Sequence, residues 1–220
     1  MENMQGFLIL NIYSFLILVI TNILFFKKER QKKIEDETYA RLLVVTIFVL
    51  VSGIVLGLLI IPKFAINSAL LSLSNKVYLI CLSLWITILT FYTLSISWLK
   101  EQYVERTKKI FSVIAILNCF MIIVLPIDVN ISSEMATALG LSVFYTYLVF
   151  GIGFVFQIIC ILLDMKNILN KKYIPIYGLA FFGILVLTIQ MIFPNLNYLV
   201  NPAIVLITFI SRIVAMSFCE

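Results

Sequence analysis

Seven apolar blocks along its 220 residues each run for most of a membrane's thickness, at about 6–26, 42–61, 77–99, 110–125, 138–163, 174–193 and 202–217, and only the last contains a charge, Arg212. A helix needs roughly 20 apolar residues to cross a hydrocarbon core about 30 Å thick. Inside lipid no water satisfies the backbone, so each such block must bond its own N–H and C=O groups as a helix. The pattern predicts an all-α, polytopic membrane protein, a bundle of seven transmembrane helices forming a single domain over residues 1–220. Composition agrees, with 63% hydrophobic and 12% charged residues, where a soluble chain carries roughly 25% charged residues. Little chain is left over for any domain outside the bilayer.

Charge placement sets the orientation. Only Glu2 precedes the first block, whereas Lys27, Lys28, Arg30, Lys32 and Lys33 follow it. A secretory signal peptide has the reverse order and a small-residue cleavage site; this segment is expected to stay attached with its N-terminus outside. Arg41, then Lys100, Arg106, Lys108 and Lys109, then Lys166, Lys171 and Lys172 fall in links on the same side as that first basic run. The other side carries only Lys63 and Lys76. Basic residues gather on the cytoplasmic face of membrane proteins, so the C-terminus is predicted to be cytoplasmic.

The last two blocks form one unit. Lys171 and Lys172 anchor a span that Pro194 closes, and Asn201-Pro202 then offers an N-cap followed by a proline in the first helical turn. Gln190, Phe193-Pro194, Asn201-Pro202-Ala203-Ile204 and Thr208-Phe209-Ile210 resemble the last two membrane helices of a group of Gram-positive bacterial sensor histidine kinases. The resemblance implies the multi-pass input region of a two-component signalling kinase in the bacterial plasma membrane, acting as a homodimer and relaying a stimulus through its last helix. Such kinases continue Met-Tyr-x-Thr-Ile-Glu-Asn-Pro and enter the kinase; here Ser211 to Glu220 follows instead. That departure leads us to expect a non-native tail over 211–220, from truncation or a frame shift after Ile210. Arg212 fits the same expectation: ten residues beyond Pro202 it would lie about 15 Å deep at 1.5 Å per residue, where an arginine costs about 2.5–3.5 kcal/mol on insertion scales.

Much chemistry is excluded. The chain has no histidine, which removes His-ligated haem, the usual zinc sites and Ser-His or Cys-His catalysis. It also removes a phosphoacceptor histidine from these residues. Cys81, Cys119, Cys160 and Cys219 are isolated and read as free thiols. Glu35-Asp36-Glu37 among lysines reads as a solvated link. Apart from Arg212 the spans lack the ionisable groups that pumps, proton relays and voltage sensors require. No enzyme activity, metal, cofactor or nucleic-acid partner is expected; the surrounding partner is the lipid bilayer.

The polar residues within or beside the spans are the candidates: Asn118, Gln157, Gln190, Asn201 and Pro202 for a ligand pocket or helix packing, with Asn11 and Asn22 in the first span. Interhelical hydrogen bonds of such groups contribute roughly 0.6–2 kcal/mol each. Two uses stay open for them. One is structural, holding helices together; the other is a small outward-facing cavity between the third, fifth and sixth spans, lined by Tyr78, Tyr145 and Tyr147, for an apolar or amphipathic ligand. Ser83, Thr87, Thr90 and Ser97 make a hydroxyl stripe on the third span, and Asn11, Ser14, Thr21 and Asn22 share a face of the first that should turn inward. Gly53 and Gly57 form a Gly-x-x-x-Gly suited to close helix approach, within the bundle or at a dimer seam; Gly140, Gly151 and Gly153 are expected to mark similar contacts. A freestanding small-solute or lipid carrier, or a membrane partner subunit, is the rival function.

Overall fold

In a computed structural model of the chain, the described residues are 2–27, 34–59, 68–96, 101–131, 136–163, 183, 185, 188 and 200–217. They form helices α1 (Glu2–Lys27), α2 (Ile34–Leu59), α3 (Ser68–Ile96), α4 (Glu101–Val124), α5 (Leu141–Leu163) and α6 (Val200–Ser217). Four stretches are long and apolar enough to cross a membrane: Glu37–Leu59, Ser68–Ser95, Gln102–Val124 and Leu141–Cys160. Shorter apolar helical stretches cover Ile9–Ile23 and Val200–Ile210. The seventh predicted span is thus α6, and the sixth lies outside the described residues except at 183, 185 and 188.

Two groups of helices share one core. Helices α1 and α6 pack on each other and on α2, while α3 packs against α2, α4 and α5. In its most apolar window α3 is 61% buried, against 17% for α4, so α3 is the axis of the bundle and α4 its outer wall. Hydrophobicity alone does not choose the inner faces, because nearly every position is apolar. Small and polar residues choose them. On α1, Asn11, Ser14, Leu18 and Thr21 are buried, whereas Ile12, Phe15, Leu16 and Val19 are exposed. The inward polar face expected for this helix is present, with Asn22 half-buried at its edge. On α2 the buried set Tyr39, Leu42, Leu43, Thr46, Val49, Leu50 and Gly53 follows the three- and four-residue spacing of one helical face.

Hydroxyls in this core protect themselves. Ser14 donates to the Leu10 carbonyl at 2.7 Å, Thr21 to Ile17 at 2.7 Å, Thr93 to Leu89 at 3.0 Å and Thr146 to Ser142 at 2.9 Å. A hydroxyl bonded one turn back loses its polarity cheaply in a medium without water. Ser83 departs from the rule: its Oγ is buried with no partner among the described residues.

Several boundaries differ from expectation. Helix α3 begins at Ser68, nine residues before the predicted Val77, because Ala69-Leu70-Leu71-Ser72-Leu73, between the second and third predicted spans, is itself good helix sequence. Within this extension the Lys76 ammonium donates to the Ile123 carbonyl at 2.6 Å, at the C-terminal turn of α4 where carbonyls lack helical partners. Helix α4 likewise begins at Glu101, ahead of the predicted 110. The link from Pro126 to Thr137 is an antiparallel hairpin, β1 (Asp128–Ile131) with β2 (Ala136–Leu139), paired Asp128 to Leu139 and Ile131 to Ala136. Gly140, which follows it at φ 119°, serves the turn into α5 rather than helix contact; a Cβ there would lie 3.1 Å from the Pro126 carbonyl oxygen. Gly151 also departs from expectation, since a Cβ would meet nothing within 4 Å.

Candidate functional site

Two polar layers hold α6 in the bundle. In the first layer, Asn201 is 3% exposed and joins three helices. Its Nδ2 donates to Asn11 Oδ1 at 2.8 Å, and its Oδ1 accepts from the Tyr78 hydroxyl at 2.9 Å. Gly53 of α2 lies directly against the same amide, so that a Cβ there would collide with Nδ2. Gly53 therefore packs within the chain, as one of the two readings of the Gly-x-x-x-Gly required, while Gly57 is half-buried. Asn201 does not act as the predicted N-cap. Helix α6 starts one residue earlier, at Val200, and both ends of the Asn201 amide face across the bundle. Pro202, half-buried, lies two residues after Val200, where the described part of α6 starts, a place near a helix start where proline is tolerated.

The second layer centres on Thr208, 0% exposed. The Tyr39 hydroxyl donates to the Thr208 carbonyl at 3.0 Å, and Trp85 Nε1 donates to Thr208 Oγ1 at 3.4 Å. Thr208 Oγ1 donates to the Ile204 carbonyl at 2.8 Å, as Thr46 Oγ1 does to Leu42 at 2.7 Å. The two hydroxyls also lie 3.2 Å apart. Each has one proton, so a bond between them forms only when one proton leaves its own helix. Trp85 ties this layer to the other half of the bundle, its indole lying 6.2 Å from the Phe150 ring at 16°.

The spacing of the layers is uniform. Asn201 to Thr208 on α6, Tyr78 to Trp85 on α3 and Gly53 back to Thr46 on α2 are each seven residues, about 10.5 Å at 1.5 Å per residue. Helix α6 therefore runs parallel to α3 and antiparallel to α2, with contacts repeating every heptad, as in packed left-handed bundles. Tyr39, Thr46 and Trp85 were not singled out from sequence. The seven-residue offset was their only available signal, and it needs the helix pairing to be known first.

The remaining candidates lie around a cleft of about 100 Å³ between α3, α4 and α5. Asn118 lines it and accepts at Oδ1 from the Tyr145 hydroxyl at 2.6 Å. Gln157, 1% exposed, donates to Thr90 Oγ1 at 3.5 Å, a marginal bond by length. The Phe111 and Phe156 rings, 4.6 Å apart, pack α4 to α5. A Cβ on Gly153 would come within 2.7 Å of Ile86 Cγ1, so this glycine does mark close approach. The cleft departs from expectation in using α4 as its third wall, because Asn118 faces inward. Tyr145 lines it, whereas Tyr78 is committed to Asn201. Gln190 and Ser97 lie outside the described residues, as does the side chain of Arg212.

Near the N-terminal end of α2, the Lys108 ammonium donates to Ser95 Oγ at 2.7 Å, and Ser95 Oγ is 3.4 Å from Thr38 Oγ1. On the surface beside it Arg41 and Glu37 form an exposed ion pair one turn apart. No group of metal-ligating side chains occurs among the described residues.

Neither a protein-family model nor a curated protein matches this chain.

Proposed function

We propose that this chain is the membrane input module of a bacterial two-component sensor histidine kinase, threading the plasma membrane seven times with the N-terminus outside and the C-terminus in the cytoplasm. Its partners are the bilayer, a second copy of the chain and a small apolar or amphipathic ligand. The phosphoacceptor histidine of such a pathway lies outside these 220 residues, and the module itself performs no catalysis. The inside–outside imbalance of lysine and arginine supports the orientation.

The observation that carries the reading is the attachment of α6. A helix that relays a signal must be held in one of a few discrete packings, not slide freely, and its holding contacts must reach the rest of the bundle. Asn201 and Thr208 meet those needs, connecting α6 to α1, α2 and α3 at two levels. A stimulus that separates α3 from α2 acts on Tyr78 and Trp85 and so on both levels at once. Fusing residues 1–210 to a histidine kinase core tests this: autophosphorylation should change when Asn201 or Thr208 is substituted, and indifference to both, in folded protein, would remove the sensor reading.

A lipid or small-solute carrier is the second reading, favoured by the cleft beside α4. Gene neighbourhood separates the two: a response regulator gene supports the sensor and a transport ATPase gene the carrier.

A further inference from the structure

The protons around the cleft do not balance. Thr87 and Thr90 line it but give their hydroxyl protons to the Ser83 and Ile86 carbonyls, each at 2.9 Å. Tyr145 gives its proton to Asn118. What remains is the Asn118 amide N–H₂, which donates to nothing among the described residues although the side chain is only 7% exposed. Other helical asparagines show what an idle amide does: Asn22 Nδ2 donates to Leu18 O at 2.9 Å and Asn75 Nδ2 to Leu71 O at 3.0 Å. Asn118 is held out of that position by Tyr145. Exchanging the amide oxygen and nitrogen does not remove the surplus. One amide proton would then be spent on the tyrosine oxygen, leaving the other and the phenol proton. Either orientation leaves two donors without acceptors.

The walls define the rest of the ligand. Ile86, Phe111, Ile114, Leu148 and Ile152 are apolar, and Ile114, Leu148 and Ile152 are exposed, so the cleft opens sideways toward lipid. Gly183, whose Cβ would collide with the Phe154 ring, lies against another face of α5. A dry apolar cavity of about 150 Å³ accepts a benzene ring; this cleft, at about 100 Å³, takes the edge of a ring or a short chain segment, with the remainder of the molecule lying outside. Asn118 is six residues from the outer end of α4, about 9 Å along the axis at 1.5 Å per residue.

We propose that the cleft between α3, α4 and α5 binds an apolar carbonyl compound from within the bilayer, its oxygen accepting hydrogen bonds from the Asn118 amide. The carbonyl belongs either to a ketone or quinone dissolved in the hydrocarbon or to an acyl ester of the surrounding phospholipid. This names the ligand of the proposed input module and rests on that reading for its purpose. Occupancy is measured without any kinase, so binding without signalling would sink the sensor reading alone.

The test uses the full chain in nanodiscs and the infrared carbonyl stretch. One sample titrates a decyl-benzoquinone ¹³C-labelled at its carbonyls into diether phospholipid; the other uses diester phospholipid ¹³C-labelled at its ester carbonyls. A saturable, downshifted carbonyl band in either sample supports the proposal and identifies the source. Asn118→Leu should abolish that band and weaken quinone binding about fivefold to tenfold, the net effect of one hydrogen bond. Leu148→Trp, which fills the rim and leaves Asn118 and Tyr145 in place, should also block uptake, and it decides the matter if Asn118→Leu fails to fold. A downshifted band retained in Asn118→Leu, undiminished binding in folded Leu148→Trp, or no saturable band from either probe in the wild-type chain would overturn the proposal.

Discussion

Substituting Gly53 by alanine puts the Asn201 layer under a test whose sign depends on its partner. Alanine should stabilise a helix relative to glycine by about 0.5–1 kcal/mol. At Gly53 the added Cβ collides with the Asn201 amide, and that amide is not free to swing away because Asn11 and Tyr78 both hold it. Displacing it forfeits two interhelical hydrogen bonds, at about 0.6 kcal/mol each on average and about 1.7 at most. Their combined loss, about 1.2 kcal/mol, exceeds the helix-propensity gain. Gly53→Ala should therefore destabilise the protein by about 0.2–0.7 kcal/mol at those average values. In an Asn201→Ala background the collision and both bonds are gone, and the same change should stabilise by about 0.5–1 kcal/mol. The double-mutant cycle cancels helix propensity and isolates a coupling of about 1.2 kcal/mol. Reversible unfolding in mixed detergent micelles, followed by tryptophan fluorescence, provides the four stabilities. Equal effects of Gly53→Ala in both backgrounds would refute the reasoning.

Other outcomes follow from the same contacts. Thr208→Val leaves the buried Trp85 N–H without its acceptor and should cost about 1–3 kcal/mol, with a changed tryptophan signal in near-ultraviolet circular dichroism; an unchanged signal would count against the Trp85–Thr208 bond. Ser83→Ala removes a buried hydroxyl that has no partner among the described residues, so stability should stay level or rise, and a loss above about 1 kcal/mol would mean that the hydroxyl has a partner after all. Tyr145→Phe should lower stability by about 0.6–1.7 kcal/mol through the lost bond to Asn118, measured in the same unfolding assay.

The helices long and apolar enough to cross lipid were legible because a bilayer imposes a single length and forbids charge. The inward face of α1 was legible for a related reason: among uniformly apolar neighbours, Asn11, Ser14 and Thr21 have only the interior to turn to. Pairing between helices was not legible. Nothing local in the sequence says that Thr46 meets Thr208, since the contact spans 162 positions and each residue alone is an ordinary helical threonine. The start of α3 was missed because the stretch from Lys63 to Lys76, bounded by two lysines, reads as a link between spans. In the structure Asn75 bonds back to Leu71, and Lys76 reaches the end of α4. Gly140 and Gly153 show the same limit. One serves a turn and the other a helix contact, and only the tertiary structure separates those uses. For Asn118 and Asn201 the sequence identified the right residues as costly in lipid, but not which of them would keep a donor to spare.

The account depends most on α6 leaving the membrane on the cytoplasmic side. Paired fusions of a fluorescent protein and of alkaline phosphatase after Ser217, expressed in bacteria, measure this directly. The account predicts fluorescence and no phosphatase activity; an active phosphatase and a dark fluorescent protein would place that end outside and contradict it.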